Sequence, residues 1–345
     1  MIQASAPSRP VPTATPPASA PTAGRQRVGV IVPVYNRPRI VLDAIDCVAR
    51  QTRRPDRLVL VDDGSTDGTP DHIQRRLAEL DLPFAAVLVK QARGGVSAAR
   101  NRAAKLCADC DVLAMIDSDD LWPDDYLERM VRPLIDDPGV AASFCDQVFV
   151  DLRTGERRRR DLSIYATDTT RRMFLYGPPT PSCTVVRGEL FRRLGGYDQT
   201  LTCSEDYDLH LKLSLEGRWA HVPGPGVQIR RATGVDDETA HHLTEIGDAR
   251  IAVQRAGMLE RFARELGGRR AMPWRAWRTG LASQWTRRGD AFRAAGERQH
   301  AAWCYRRAVT AAPWRAAAWR GYATTRFAGA PLAPPLTMRH DEARL

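Results

Sequence analysis

The chain reads as an α/β protein: a mainly parallel sheet with helices on both faces, followed by an α-helical C-terminal region. Three observations predict this. Short β-branched apolar runs alternate with amphipathic stretches of ten or more residues between positions 27 and 116, polar clusters fall at the equivalent ends of four of those runs, and beyond about Thr239 only helical periodicity remains. The 345 residues give room for one α/β domain of roughly 230 residues plus an appendage. Hydrophobic residues at 43% and charged residues at 27% exclude wholesale disorder.

Each element follows from local pattern. Residues 1–26 repeat Pro, Ala, Ser and Thr with no apolar period, so they predict a flexible leader. Val28–Val34 is a nearly unbroken β-branched run and predicts the first strand; residues 38–50 carry apolar positions at helical spacing. The alternation continues with strands at 57–61, 84–89 and 112–116 and helices at 70–80 and 96–107. A helix is expected at 128–136 and one strand over 140–151, while the polar, Arg-rich stretch 152–172 has no assigned structure. Residues 183–186 are β-like, Ser204 can cap a helix through Asp206, Leu209, Leu213 and Leu215, and 219–222 and Val227–Arg231 return to extended chain.

No window reaches the roughly 18 apolar residues of a membrane span, and the first 27 residues lack a signal-type apolar core. Seven cysteines, an odd number scattered through apolar segments, fit reduced thiols, so the expectation is a cytoplasmic protein without structural disulfides. The net charge of +10 is lopsided. From Ile246 to Leu345 there are 19 Arg and 7 acidic residues, a surplus of +12, which leaves about −2 for the preceding 245.

In a parallel sheet, ligands bind outside the carboxyl ends of the strands. Four polar clusters stand there: Pro33-Val34-Tyr35-Asn36, Asp62-Asp63-Gly64-Ser65, Arg93-Gly94-Gly95 and Asp117-Ser118-Asp119-Asp120. Asp117 and Asp119 suit a hard divalent cation, which would counter the charge of a departing diphosphate. Taken alone, the same acids also serve to solvate a strand end. Asp62 and Asp63 either contact a nucleoside or form an Asx turn. Arg100 and Asn101, on the helix after the glycine loop, either approach a phosphate or are solvated. Glu205 and Asp206 open a helix whose dipole favours acids; one of them also suits a general base.

Joined in order, VGVIVPVYNRP, LVLVDDGSTDGT, GGVSAARNRAA, VLAMIDSDDLWPDDYLERM, LGGYDQTL and SEDYDLHLKL resemble the family 2 glycosyltransferases of the GT-A fold. The resemblance spans residues 27–231. It implies transfer of a sugar, with inversion, from a nucleotide-diphosphate donor, taken as UDP-linked, to a hydroxyl of a glycan or lipid-linked acceptor, with Mn2+ or Mg2+ on the diphosphate. It implies that Pro33, Tyr35, Asn36, one of Asp62 and Asp63, Gly95, Arg100 and Asp117 contact the donor, that Asp119 with Asp117 holds the metal, and that Asp206 is the base with Glu205 positioning. Arg93 stands where the family often has Asn, and Ala232 where it commonly has His. The chain lacks Gln-x-x-Arg-Trp after the acidic pair, so the resemblance implies a non-processive enzyme. Two rivals remain: a non-catalytic scaffold that recruits partners through its tail, and a nucleotidyltransferase.

The expected catalytic domain is 27–235 and the helical accessory region 236–345. Within the latter, Trp285, Gly289, Phe292, Ala301, Tyr305, Ala308 and Pro313 match a tetratricopeptide-like unit at about 282–315, and Trp319 follows Trp285 by 34 residues. One such unit cannot bury its own apolar face, so it should dock on the catalytic domain or on another chain. Six of the eight tryptophans lie here. Arg-Trp helices either lie peripherally on an anionic membrane or form a packed appendage with solvated arginines. No nucleic-acid module accompanies the charge, so nucleic-acid binding is not expected.

Overall fold

The computed structural model describes residues 26–231 and 249–325. The expected leader, Ala232 and the start of the C-terminal helical pattern lie outside the described residues. The first half is a regular alternation: β1 (Val28–Val34), α1 (Ile40–Ala49), β2 (Arg57–Asp62), α2 (Thr69–Glu79), β3 (Ala85–Lys90), α3 (Val96–Leu106) and β4 (Val112–Met115). Then come α4 (Tyr126–Asp136), β5 (Val140–Phe144), β6 (Gln147–Asp151), β7 (Arg157–Arg160), α5 (Thr169–Tyr176), β8 (Thr184–Arg187), α6 (Gly188–Arg193), α7 (Glu205–Leu213), β9 (Arg218–His221) and β10 (Val227–Arg231). The C-terminal region is α8 (Ala249–Arg264), α9 (Gly268–Ala271), α10 (Trp274–Ala294), α11 (Arg298–Ala311) and α12 (Ala316–Thr325).

Seven strands form one sheet in the order β3-β2-β1-β4-β8-β5-β9, parallel except for β8, and β10-β6-β7 form a second small sheet. Both faces of the large sheet are covered, which is why β1 and β2 are apolar without alternation. Val30 and Val32 join α1 and α4 in one core, while Ile31 faces α3 in the other. A Cβ at Gly29 would lie 2.7 Å from the Cys107 sulfur, so glycine lets the end of α3 sit directly on β1. All seven cysteines are buried and free.

The chain runs outward from β1 to β3 on one side and then returns to β4 on the other, so the order reverses between β1 and β4. Their pairing stops at Ile31 and Met115, whereas β1 stays paired with β2 up to Val34 and Asp62. Pro33, with no N–H, is tolerated in a central strand because it lies beyond the last β4 pairing. The parting strands open a crevice at the carboxyl rim, where such sheets bind ligands.

Two expectations are corrected. Residues 140–151 are not one strand: β5 belongs to the large sheet and β6 to the small one, and the chain breaks at Cys145-Asp146. The Asp146 carboxylate fixes this corner by accepting from Leu162 N, from the Arg159 guanidinium and from His221 Nε2. The unassigned stretch 152–172 contains β7, whose four arginines pair antiparallel with β6 at a sheet edge, and the start of α5.

The helical region docks on the α/β domain through α8 and through the start of α10, where Gly280 lies against Phe174 of α5 and Leu281 joins the same core. Met258, Leu259 and Phe262 join the core that holds α7 and the α3 face of the sheet. Farther out, α10 and α11 form a hairpin closed by α12, with Trp285, Phe292, Tyr305 and Ala308 in a separate small core. Gly289 and Gly321 both face the Tyr305 ring, and a Cβ at Gly289 would lie 2.5 Å from it, so glycines there make room for the aromatic ring between helices. No described helix is long and apolar enough to cross a membrane.

Candidate active site

The turn after β1 is tied to the turn after β2. Asn36, at φ 49°, donates its backbone N–H to Ser65 Oγ at 2.8 Å and accepts from Thr66 N at 3.0 Å. Asn tolerates this left-handed geometry better than most residues. The Tyr35 ring is capped by the Arg93 guanidinium, 3.2 Å from its centroid. Arg93, the residue that departs from the family pattern, thus covers one ring face.

The paired acids after β2 do different work. Both oxygens of Asp63 are taken: Gln91 Nε2 and Gly94 N donate to Oδ1 at 2.7 and 2.8 Å, and Gly95 N donates to Oδ2 at 2.8 Å. Asp63 therefore braces the glycine loop, and the Gly94 and Gly95 amides point at it and not at a phosphate. Gly95, at φ +87°, occupies a conformation open to glycine. Asp62 accepts from Ser65 N at Oδ2, but its buried Oδ1 has no partner. A buried acceptor without a donor is costly, so Asp62 is the acid of the pair left with capacity for a ligand.

The Asp117–Asp120 loop is held from two sides. Ser182 Oγ accepts from Asp117 N at 3.0 Å and donates to Asp120 Oδ2 at 2.5 Å. Arg230, from β10, donates to the Asp119 carbonyl and to Asp43 Oδ2. Burial, and then the charges of Asp119 and Asp117, push the Asp120 carboxyl well up.

Arg100 joins the loop to the acidic pair. Only 4% exposed, it donates from Nη2 to Asp117 Oδ1 at 2.6 Å and from Nη1 to Glu205 Oε1 at 2.7 Å. Burial alone would depress this guanidinium, but the carboxylates of Asp117 and Glu205 hold it well above its ordinary value. Asn101 instead pairs reciprocally with the Tyr197 backbone and is structural.

Glu205 and Asp206 open α7. Burial, then the neighbouring Asp206, raises Glu205; burial likewise raises half-buried Asp206, against the pull of Arg100 and Arg255. Ser204 occupies the position before the helix, but its hydroxyl does not cap it: Arg255 Nε donates to that hydroxyl at 2.7 Å. His210, one face further along, is buried and pushed down to about 3 by burial and by Arg100, so it is neutral. Asp146, Asp161 and His221 also lie close enough together to hold a cation. The Asp146 oxygens there are already engaged by Arg159, Leu162 and His221.

Residues 29–195 match the sequence profile of Glycosyl transferase family 2. These residues form a family 2 glycosyltransferase domain. The chain is 24% identical over 216 residues to the uncharacterized glycosyltransferase YwdF of Bacillus subtilis, covering 62% of this chain and 78% of that protein. It is 32% identical over 171 residues to the succinoglycan biosynthesis protein ExoA of Rhizobium meliloti, covering 47% of this chain and 49% of ExoA, so the match spans about half of that relative. Among solved structures, the mannosyltransferase PcManGT from Pyrobaculum calidifontis, with GDP-Man and Mn2+, superposes with a TM-score of 0.52 at 24% identity over 88% of this chain and 80% of that one. S. aureus TarS 1-349 with UDP-GlcNAc gives 0.54 at 17% identity over 87% and 90%. The fold is GT-A.

Of the residues expected from sequence, Arg100, Asp117 and Glu205 are brought into direct contact. Asp62 and Asp63, Tyr35 and Asn36 line the β1–β2 side of the same rim, with Pro33 buried behind them. Sequence reasoning missed Ser182, Arg230 and Arg255. Each is an ordinary Ser or Arg whose partner lies 50 or more residues away, with no local signal.

Proposed function

We propose that the protein transfers a sugar from a nucleotide-diphosphate donor to a hydroxyl of a glycan or lipid-linked acceptor, inverting the anomeric centre and adding one residue per encounter. The observation that carries this is Arg100: one buried guanidinium ties Asp117, on the donor rim, to Glu205, beside the candidate base. Asp206 takes the proton of the acceptor hydroxyl as the new bond forms, since an alcohol is a poor nucleophile until a carboxylate accepts that proton. Its raised affinity for a proton suits the task, and Glu205, anchored on Arg100, orients the start of α7.

The hard oxygen donors of Asp117 and Asp119 fit Mn2+ or Mg2+. Arg100 engages only Oδ1 of Asp117, so that carboxylate keeps an oxygen with which it could hold a divalent ion. When bound, the ion counters charge on the leaving diphosphate. Asp62 Oδ1 and Tyr35 contact the nucleoside, while Asp63 and Gly95 shape the adjoining loop. The solved neighbours hold GDP-Man and UDP-GlcNAc; the donor class is carried over here, not the base. The exposed Trp274, Trp314 and Trp319, with Arg278 against the first two, would meet an anionic membrane carrying a lipid-linked acceptor.

A thermal-shift panel of nucleoside diphosphates and nucleotide sugars, with and without Mn2+, tests the reading. A donor at 100 times its Kd adds about 2.7 kcal/mol. Nucleoside diphosphate release confirms transfer chemistry. Pyrophosphate release, or no shift with any nucleotide sugar, overturns it.

A further inference from the structure

The acidic pair lies past the end of the family match at residue 195, and its support comes from farther still along the chain. Two adjacent residues of α8 grip the segment just before Glu205. Gln254 Oε1 accepts from Thr202 N at 3.1 Å, from Thr202 Oγ1 at 3.0 Å and from Cys203 N at 3.2 Å, while Gln254 Nε2 donates to Thr200 O at 3.4 Å. Arg255 Nε donates to Ser204 Oγ at 2.7 Å. About two helical turns onward, Arg261 Nη2 reaches Asp198 Oδ2 and Asp208 Oδ1, both at 3.0 Å, and so closes the segment at both ends.

Ser204 explains why the grip matters. It sits at φ 62°, in the left-handed region, and is not glycine. Such a residue persists only where its surroundings over-determine it, and such residues gather at functional sites. Rotation at Ser204 would swing Glu205 off Arg100 and re-aim Asp206. Apolar docking of α8 through Met258, Leu259 and Phe262 does not require a side-chain amide that collects three donors from one loop.

We propose that Gln254 and Arg255 are positioning residues for the Glu205–Asp206 pair, so that the C-terminal helical region completes the transfer site. The inference rests on the function proposed above for Asp206. It is tested in the full chain with Gln254→Ala, Arg255→Ala and Arg255→Lys, by amide hydrogen exchange of residues 202–206 together with steady-state kinetics on whichever donor the wild type turns over.

The expected result is about tenfold faster exchange at Thr202 and Cys203 in Gln254→Ala. Arg255→Ala should lower kcat about tenfold with donor KM within about twofold, and Arg255→Lys should restore most of kcat. Unchanged exchange at 202–206, or faster exchange with kcat unchanged, overturns the inference; so does a rise in donor KM with kcat intact. If the wild type releases no nucleoside diphosphate from any donor, the proposed function fails. The exchange measurement then still decides whether α8 holds the loop.

Discussion

The two sides of the proposed active site are built differently. On the β1–β2 side, each loop is held by a neighbouring strand-loop unit: Asn36 by Ser65, and Gly94 and Gly95 by Asp63. On the α7 side, the loop before the acidic pair is held by a helix some 50 residues downstream. The β1–β2 side is thus held from within the residues that the family profile covers, while the acid side depends on a region that it does not. Binding and turnover should therefore separate under mutation.

The largest effect expected is from Asp206→Asn, which should cut turnover about a thousandfold or more while leaving nucleotide-dependent thermal stabilisation intact. Loss of both together would break the division. Next, Tyr305→Ala empties the space between Gly289 and Gly321 and should cost about 3–5 kcal/mol in the small helical core. Urea unfolding followed by α10–α12 signals should register this loss, with donor binding on the sheet unchanged.

A pH experiment sharpens the acid side. His210 is held near 3, below its free value of 6.5, so the unfolded chain binds more protons between these limits. The stability that neutral His210 contributes is present above about 6.5 and is lost as pH falls, by about 1.4 kcal/mol per unit. Unfolding of the wild type and of His210→Gln at pH 7, 5.5 and 4.5 should show a shallower acid loss in the variant; parallel curves would refute the assignment. The smallest effect is on the donor side. Arg93→Ala uncovers Tyr35 and should change donor KM about two- to fivefold, with kcat unchanged, as expected from losing a partly exposed cation–π contact.

The half of the fold that sequence made legible is the half built locally. β1 to β4 and α1 to α3 lie within two residues of their expected bounds because continuous apolar runs and helical spacing are short-range signals. Residues 140–151 misled because apolar character continues across a corner that Asp146 makes by bonds to Leu162, Arg159 and His221. β7 escaped because four arginines in a row read as solvated chain, yet an edge strand needs only backbone pairing. Motif spacing pointed to Asp117, Glu205 and Asp206, but not to the burial of Arg100 between acids 17 and 105 positions away. It also left open which of Asp62 and Asp63 keeps an unpartnered oxygen.

Because Arg100 is shared, the two walls of the crevice are not independent inheritances. A change at Asp117 frees half of a guanidinium that then pulls harder on Glu205, and the reverse holds as well. Paired substitutions across it should therefore show strong epistasis, and a lineage that altered its donor loop would have to renegotiate its acid helix through this single residue.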